Sequence, residues 1–260
     1  MRNYDRNYPI IIGLAGKALT GKTSVADAIV PKARISTGDE NINWDHIYFA
    51  LPLYELASIK KNVIGNRSKV RQLYGIHDTV YDIFGKSPIG NVPDYDEMFN
   101  IVNKIYDMPI PDDGSKPRTF LQKAGDLCRA HNPTCFSEWA INKSRSLYMD
   151  YLREFQFDEE VAPFAVIISD VRYANEAKAI KGTPNGILIC YEASDSVREE
   201  RMIKRDGQLM TEAQRNHSSE LEMDQVAELS DIIINTDSLS VQEQSNNTKD
   251  FIKGMVLSNA

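Results

Sequence analysis

The sequence predicts an α/β fold: a doubly wound parallel sheet with helices on both faces, a P-loop, a lid segment and a helical insertion. Three observations predict it. Short, near-continuous apolar runs rich in β-branched residues recur along the chain, as buried parallel strands require. Helical patterns alternate with them, the order that builds a parallel sheet through crossover connections. Between the first apolar run and the first helix lies Gly16-Lys17-Ala18-Leu19-Thr20-Gly21-Lys22-Thr23, a glycine-containing loop closed by a Lys-Thr pair.

The first strand falls in Pro9-Ile10-Ile11-Ile12-Gly13-Leu14-Ala15, too short for a typical helix. A helix starts at Lys22, with Val25, Ala26, Ala28 and Ile29 on one side and Pro31 as its stop. A second strand is expected within 44–49, then a helix through Leu53, Leu56, Ala57 and Ile59. From about 60 to 116 the pattern weakens under repeated breakers, among them Gly65, Gly75, Gly85, Pro93 and Pro109, which predicts an insertion of short helices. Helical signals return over 119–130 and 137–155, and strands over 165–168, 186–190 and 231–234. A lid is expected at about 195–220, and the Ser/Asn/Gln-rich stretch 236–250 leads into, or frays from, a last helix. With 260 residues and no internal repeat, the expectation is a single P-loop domain carrying the insertion.

The chain is 42% hydrophobic and 26% charged, the profile of an ordinary globular protein. A net charge of −7 argues against stable nucleic-acid binding, which normally shows as a basic stripe, but leaves room for a few arginines converging on a small anion. Cys128, Cys135 and Cys190 make an odd count that suits free thiols in a reducing cytoplasm. The N-terminus lacks an apolar signal core, and no apolar run approaches the roughly 20 residues of a membrane span, so no membrane association is expected.

The loop carries the strongest chemical signal. Its glycines let the backbone fold around phosphates while the amides and the following helix dipole point inward. Ala15, Gly16, Lys17, Ala18, Thr20, Gly21, Lys22, Thr23 and Ser24 are therefore the nucleotide-binding candidates. Lys22 is placed to contact β- and γ-phosphates, and the Thr23 hydroxyl to ligate Mg²⁺. After the strand at 165–168 come Asp170, a candidate Mg²⁺ ligand, and Arg172, a candidate for neutralising phosphate charge. A strand-end salt bridge or helix cap is the plainer role for either residue. Arg198, Arg201 and Arg205 share one helix face by their spacing of three and four, which suits a lid over a polyphosphate or, equally, a salt-bridged solvent face with Glu199 and Glu200. Arg118 and Arg129, eleven positions apart on one helix face, can hold an acceptor phosphate or be surface arginines. Cys128, His131 and Cys135 lack the second paired cluster of a zinc site. Asp94, Asp96 and Glu97 suggest a solvated loop, and His217 beside Ser218 and Ser219 does not make a hydrolase.

Several of these segments together resemble the deoxynucleoside monophosphate kinases of tailed bacteriophages, within the wider P-loop nucleoside monophosphate kinase group. The likeness lies in the P-loop, Phe49-Ala50-Leu51-Pro52-Leu53, the segment 118–129, Asp170-Val171-Arg172-Tyr173-Ala174-Asn175-Glu176-Ala177, His217-Ser218-Ser219-Glu220 and the last strand. The resemblance implies ATP-dependent, Mg²⁺-assisted phosphorylation of deoxynucleoside 5′-monophosphates in the cytoplasm of an infected cell, serving phage DNA synthesis. It implies Arg118, Arg129 and Arg172 as monophosphate-binding residues and Arg201 and Arg205 as lid residues; together with Lys22 of the loop, Arg172, Arg201 and Arg205 are the catalytic candidates. It departs from the family at Leu51, where such sequences often carry an aspartate; Asp39 and Asp45 are candidates to supply that carboxylate. A P-loop kinase acting on a modified base in DNA or another small acceptor is the alternative, and a P-loop ATPase or regulator a further one. Base preference, ribose exclusion and homodimerisation are left open.

Overall fold

The computed structural model describes residues 4–30, 42–61, 67–85, 92–111, 117–155, 162–207, 209 and 221–257. Its strands are β1 (Ile10–Ala15), β2 (Asn43–Ile47), β3 (Phe164–Val171), β4 (Gly186–Glu192) and β5 (Ile232–Asn235). Its helices are α1 (Lys22–Ile29), α2 (Leu51–Lys61), α3 (Arg67–Phe84), α4 (Tyr95–Asp107), α5 (Arg118–His131), α6 (Cys135–Glu154), α7 (Ala174–Lys181), α8 (Asp195–Asp206), α9 (Met223–Glu228) and α10 (Val241–Leu257). The chain divides into two compact units, one of residues 1–48 and 143–260 built on the sheet, the other of residues 49–142 and helical. The expected insertion at about 60–116 thus lies inside a longer helical unit. No helix among the described residues is long and apolar enough to cross a membrane.

The five strands are all parallel, in the order β2-β3-β1-β4-β5, and the sheet is doubly wound. Alternation along β1 sends Ile10, Ile12 and Leu14 into a core shared with Val25, Ile29, Ile252 and Val256 of α1 and α10. The opposite face is covered by α7 and α9, which pack on β1 or β4. There Gly13 keeps the α7 contact close: a Cβ at this position would lie 2.6 Å from the Ile180 side chain and 2.9 Å from that of Leu188. β5 begins at Ile232 rather than at Asp231; just before it, the Asp231 carboxylate accepts the Leu188 amide at 2.8 Å and the Asp231 amide donates to Leu188 O at 2.7 Å.

Two expectations are corrected. The polar stretch near the C-terminus is not a frayed lead-in but the body of α10, and Gln244, Ser245 and Thr248 face inward. The Thr248 hydroxyl donates to Gln244 O at 2.7 Å and shares a 2.5 Å bond with Tyr191 Oη, and Gln244 Nε2 donates to Leu239 O at 2.9 Å, while Gln244 Oε1 and Ser245 Oγ are buried with no hydrogen-bond partner among the described residues. The insertion does not consist of short helices either: α3 has 18 residues and α4 has 13. Gly75 lies within α3 without breaking it, and Asp94, expected in a solvated loop, caps α4 by accepting the Glu97 amide at 2.9 Å while Glu97 accepts the Asp94 amide at 3.1 Å.

The helical unit is held by polar caps as well as by apolar packing. Lys60 Nζ donates to the carbonyls of Ile105, Tyr106 and Met108, placing a cation at the negative end of α4. Gln72 of α3 donates to the carbonyls of Ile59 and Lys60 at 3.3 and 3.2 Å, closing the end of α2. Ile76, Val80, Ile83 and Phe84 form the buried side of α3.

Candidate phosphate-binding site

The loop after β1 has the backbone its sequence demands. Gly16 has φ +138°, Gly21 φ +100° and Leu19 φ 69°, three left-handed residues between strand and helix. At Gly16 a side chain is excluded outright, since a Cβ there would sit 2.3 Å from the Tyr191 carbonyl oxygen. Gly21 caps α1 without a side-chain hydrogen bond, and the first turn of α1 holds no acidic residue to compete with an anion. Lys22 is almost wholly buried; its ammonium donates to Gly16 O at 2.6 Å and Lys17 O at 2.8 Å and lies 3.4 Å from Thr20 Oγ1. The charge expected at the β- and γ-phosphates is therefore held inside the loop by the loop's own oxygens. Thr23 and Ser24, next along α1, are exposed.

Asp170 reaches the sheet edge through an irregularity in β3. Gly13 pairs with Ile168 and Ala15 with Val171, so β3 carries one residue more than β1 over this span. Such a bulge re-aims the side chains at its site, and Asp170 lies within it, half-buried. Beyond it Glu176, itself buried, accepts the amides of Arg172 and Tyr173 at 2.9 and 3.1 Å and fixes the turn into α7. Behind the bulge, His46 Nε2 is 2.7 Å from Ser169 Oγ and its Nδ1 is 3.5 Å from Asp27 Oδ1. Burial lowers the His46 pKa, against the opposing pull of Asp27, Asp170 and Asp45. Asp45 meanwhile accepts the His46 amide at 2.7 Å.

Further carbonyls of the loop are collected by α8 and the end of β5. Arg198 Nε donates to Ala18 O at 2.9 Å, and Arg201 Nη1 donates to Leu19 O at 3.1 Å. Arg201 also donates to Thr236 Oγ1 at 3.1 Å and to Thr236 O at 2.6 Å. The buried Thr236 hydroxyl lies 3.2 Å from Thr20 O and 3.1 Å from Glu192 O, tying loop, β4 and β5 together. A pocket of about 320 Å³ opens beside the loop, with Gly16, Lys17, Glu192, Arg198, Asn235 and Asp237 in its wall. That volume suits a small-molecule ligand.

The chain is similar in structure to TT1252 from Thermus thermophilus. The likeness has a TM-score of 0.41 at 15% identity and covers 94% of this chain and 96% of that one. No family model and no curated protein matches the sequence.

The sheet unit thus gathers the loop residues, Asp170, Arg172, Arg198 and Arg201 at the carboxyl ends of parallel strands, where ligands bind in such sheets. Arg201, expected to close over phosphate, is engaged with the loop's backbone and with Thr236; Arg205, one turn on, is exposed. Arg118 and Arg129 belong to the helical unit. Arg129 lies 3.8 Å from Asp126 and 4.9 Å over the Phe136 ring, and Gly125 makes room for it. Asp39, His217-Ser218-Ser219-Glu220 and the lid beyond 209 fall outside the described residues. Burial pushes the Cys128 thiol up to about 12 and raises that of Cys135, so both are protonated hydrophobes rather than thiolates. Among the described residues, no group of three or more His, Cys, Asp or Glu side chains is disposed to hold a metal ion. Sequence reading missed Thr236, the Asp27–His46–Ser169 contacts and the β3 bulge; only the polar residue ending the last apolar run hinted at the first.

Proposed function

We propose that this protein transfers the γ-phosphoryl group of ATP to a deoxynucleoside 5′-monophosphate. One observation carries the nucleotide-phosphate part of the reading, a glycine-framed loop whose lysine is held inside it, set between a buried parallel strand and an uncapped helix; the deoxynucleoside monophosphate as acceptor rests on the family resemblance. Phosphoryl transfer needs positioning and charge neutralisation more than covalent chemistry. The α1 amides and Lys22 bind the polyphosphate, with Lys22 exchanging its loop carbonyls for phosphate oxygens. Arg198, Arg201 and Thr236 keep the loop carbonyls turned away from the anion, so that the amides face it. Arg172, with its amide pinned by Glu176, meets the acceptor phosphate.

Magnesium fits the donor set in part. Thr23 offers an exposed hydroxyl in the first turn of α1, and Asp170 a half-buried carboxylate at the β3 bulge. Two protein oxygens suit a cation that keeps several waters and takes its remaining ligands from phosphates. When bound, Mg²⁺ neutralises charge on the transferring oxygens. The family resemblance adds Arg118 and Arg129 as further monophosphate-binding residues, Arg205 as a lid residue, and supply of phage DNA precursors as the purpose.

A coupled assay of ADP release across the deoxynucleoside monophosphates and their ribonucleotide counterparts tests this. Release stimulated by one or more of them is expected, and Lys22→Ala should lower the rate by about 10²–10³. It should also lower the melting temperature, because it leaves the Gly16 and Lys17 carbonyls without their buried donor, so circular dichroism at the assay temperature is needed to show that the variant is folded. Stimulation by modified DNA alone would move the assignment to a different acceptor. Phosphate released without any acceptor would mark an ATPase.

A further inference from the structure

We propose that α3 is a self-association surface, through which two copies of this chain pair antiparallel about a two-fold axis. The proposal is independent of the phosphotransferase reading. α3 is amphipathic in an unusual sense, with apolar residues on both its buried and its exposed sides. Opposite Ile76 and Val80, the residues Val70, Tyr74, His77 and Tyr81 follow one another at intervals of four, three and four. That is the spacing of a coiled-coil seam. They face water: Val70 is 58% exposed, Tyr74 68% and Tyr81 56%. The His77 and Tyr81 rings are already stacked, 6.3 Å between centroids and 13° between planes. Docking would therefore order little that is not ordered already.

The charges on the helix point to the partner. A helix prefers acidic residues near its N-terminus and basic ones near its C-terminus. α3 reverses this, with Lys69 and Arg71 in its first two turns and Asp78 and Asp82 towards its end. Within one chain the arrangement opposes the helix dipole. Against a second α3 running the other way it becomes complementary, basic start facing acidic end twice over, with the two dipoles antiparallel. The spacing agrees. Arg71 and Asp78 are seven residues apart and so flank the same side of the seam. An antiparallel pairing that layers Val70 on Tyr81 and Tyr74 on His77 of the second copy brings Arg71 of each copy alongside Asp78 of the other. Asp82 is drawn inward, accepting Trp139 Nε1 at 2.7 Å, whereas Asp78 is exposed at the surface, 3.4 Å from Nδ1 of the adjacent His77, and is the acidic partner. Such a surface is self-complementary, as a two-fold interface must be.

The 18 residues of α3 make a helix about 27 Å long. One such face buries less than the roughly 800 Å² per partner of a standard interface, so the dimer should be weak, with a Kd of about 10–100 μM. Sedimentation of the full-length protein over about 1–300 μM should show a reversible monomer–dimer equilibrium. Arg71→Asp and Asp78→Arg should each raise the Kd about tenfold or more, because each puts like charges at both symmetric contacts. Both changes align the local charge with the helix dipole, so neither should unfold α3. The deciding measurement is an equimolar mixture of the two variants. In a mixed pair the aspartate introduced at position 71 of one chain meets the arginine introduced at position 78 of the other, while the second contact keeps its native Arg71 and Asp78. Dimerisation should therefore return to wild-type strength. A wild type monomeric at every concentration, single variants that dimerise as well as wild type, or a mixture no stronger than its components would each overturn the proposal.

Discussion

Gly16 and Gly75 show how differently the two units of this chain are built. At Gly16 the backbone is left-handed, and a Cβ would sit 2.3 Å from the Tyr191 carbonyl oxygen, an atom fixed in β4. At Gly75 the backbone is ordinary helix, and a Cβ would lie 3.3 Å from the Cδ1 and Cγ2 of Ile59. The sheet unit concentrates its irregular backbone in the loop of residues 16–23 and in the β3 bulge, and Arg198, Arg201 and Thr236 support the loop. The helical unit is regular throughout its described helices and relies on caps and packing. A residue in the first unit is constrained by backbone it cannot move; one in the second is constrained by side chains that can give.

The same substitution in both places measures that contrast. Gly16→Ala should cost about 3 kcal/mol or more, the strain of a glycine-only conformation with a backbone clash added. Under the proposed function it should also abolish stabilisation by ATP, because the loop would lose the left-handed turn at Gly16. Urea denaturation with and without ATP would measure both effects. A loss below about 1 kcal/mol would mean that the loop is far more adaptable than its contacts imply.

Thr236→Val probes the supports rather than the loop itself. It keeps the shape but removes the hydroxyl that lies between Thr20 O, Glu192 O and Arg201, leaving buried polar groups without that partner. A cost of about 1–3 kcal/mol is expected, together with weaker nucleotide binding. Equal losses of stability with and without ATP would show that Thr236 holds the strands but not the loop.

What is legible in the sequence follows the same division. The strands and the phosphate loop can be read because parallel strands buried on both faces leave continuous apolar runs, and because glycine at 16 and 21 has a backbone reason. Asp170 can be placed at a strand end, but not in a bulge, since one extra residue in β3 leaves no trace in an apolar pattern. The arginines of α8 are legible as a helix face. That Arg198 and Arg201 turn to the loop's carbonyls is not, because spacing orders residues along a helix and says nothing of what lies opposite. In the helical unit, a glycine reads as a breaker. Gly75 is instead a contact residue within a helix, admitted by the tertiary packing of α2 against α3.

Gly75→Ala should accordingly have the smallest effect, and its sign is informative. Alanine in place of glycine favours a helix interior by about 1 kcal/mol, chiefly by restricting the unfolded chain. Against this, 3.3 Å to Ile59 is tighter than ordinary van der Waals contact, so the Ile59 side chain must give by a few tenths of an ångström. The Cδ1 end can do so by a small χ rotation; the Cγ2 branch moves only with χ1, and β-branched side chains are stiff there. The two terms nearly balance, and the net change in unfolding free energy should lie within about 0.5 kcal/mol of zero, on the stabilising side if Ile59 relaxes. Thermal melts of Gly75→Ala in the wild-type and Ile59→Val backgrounds separate the terms. Trimming Cδ1 should make the alanine more favourable, and an unchanged effect would place the obstruction at Cγ2, where packing between α2 and α3 is as unyielding as the loop at Gly16.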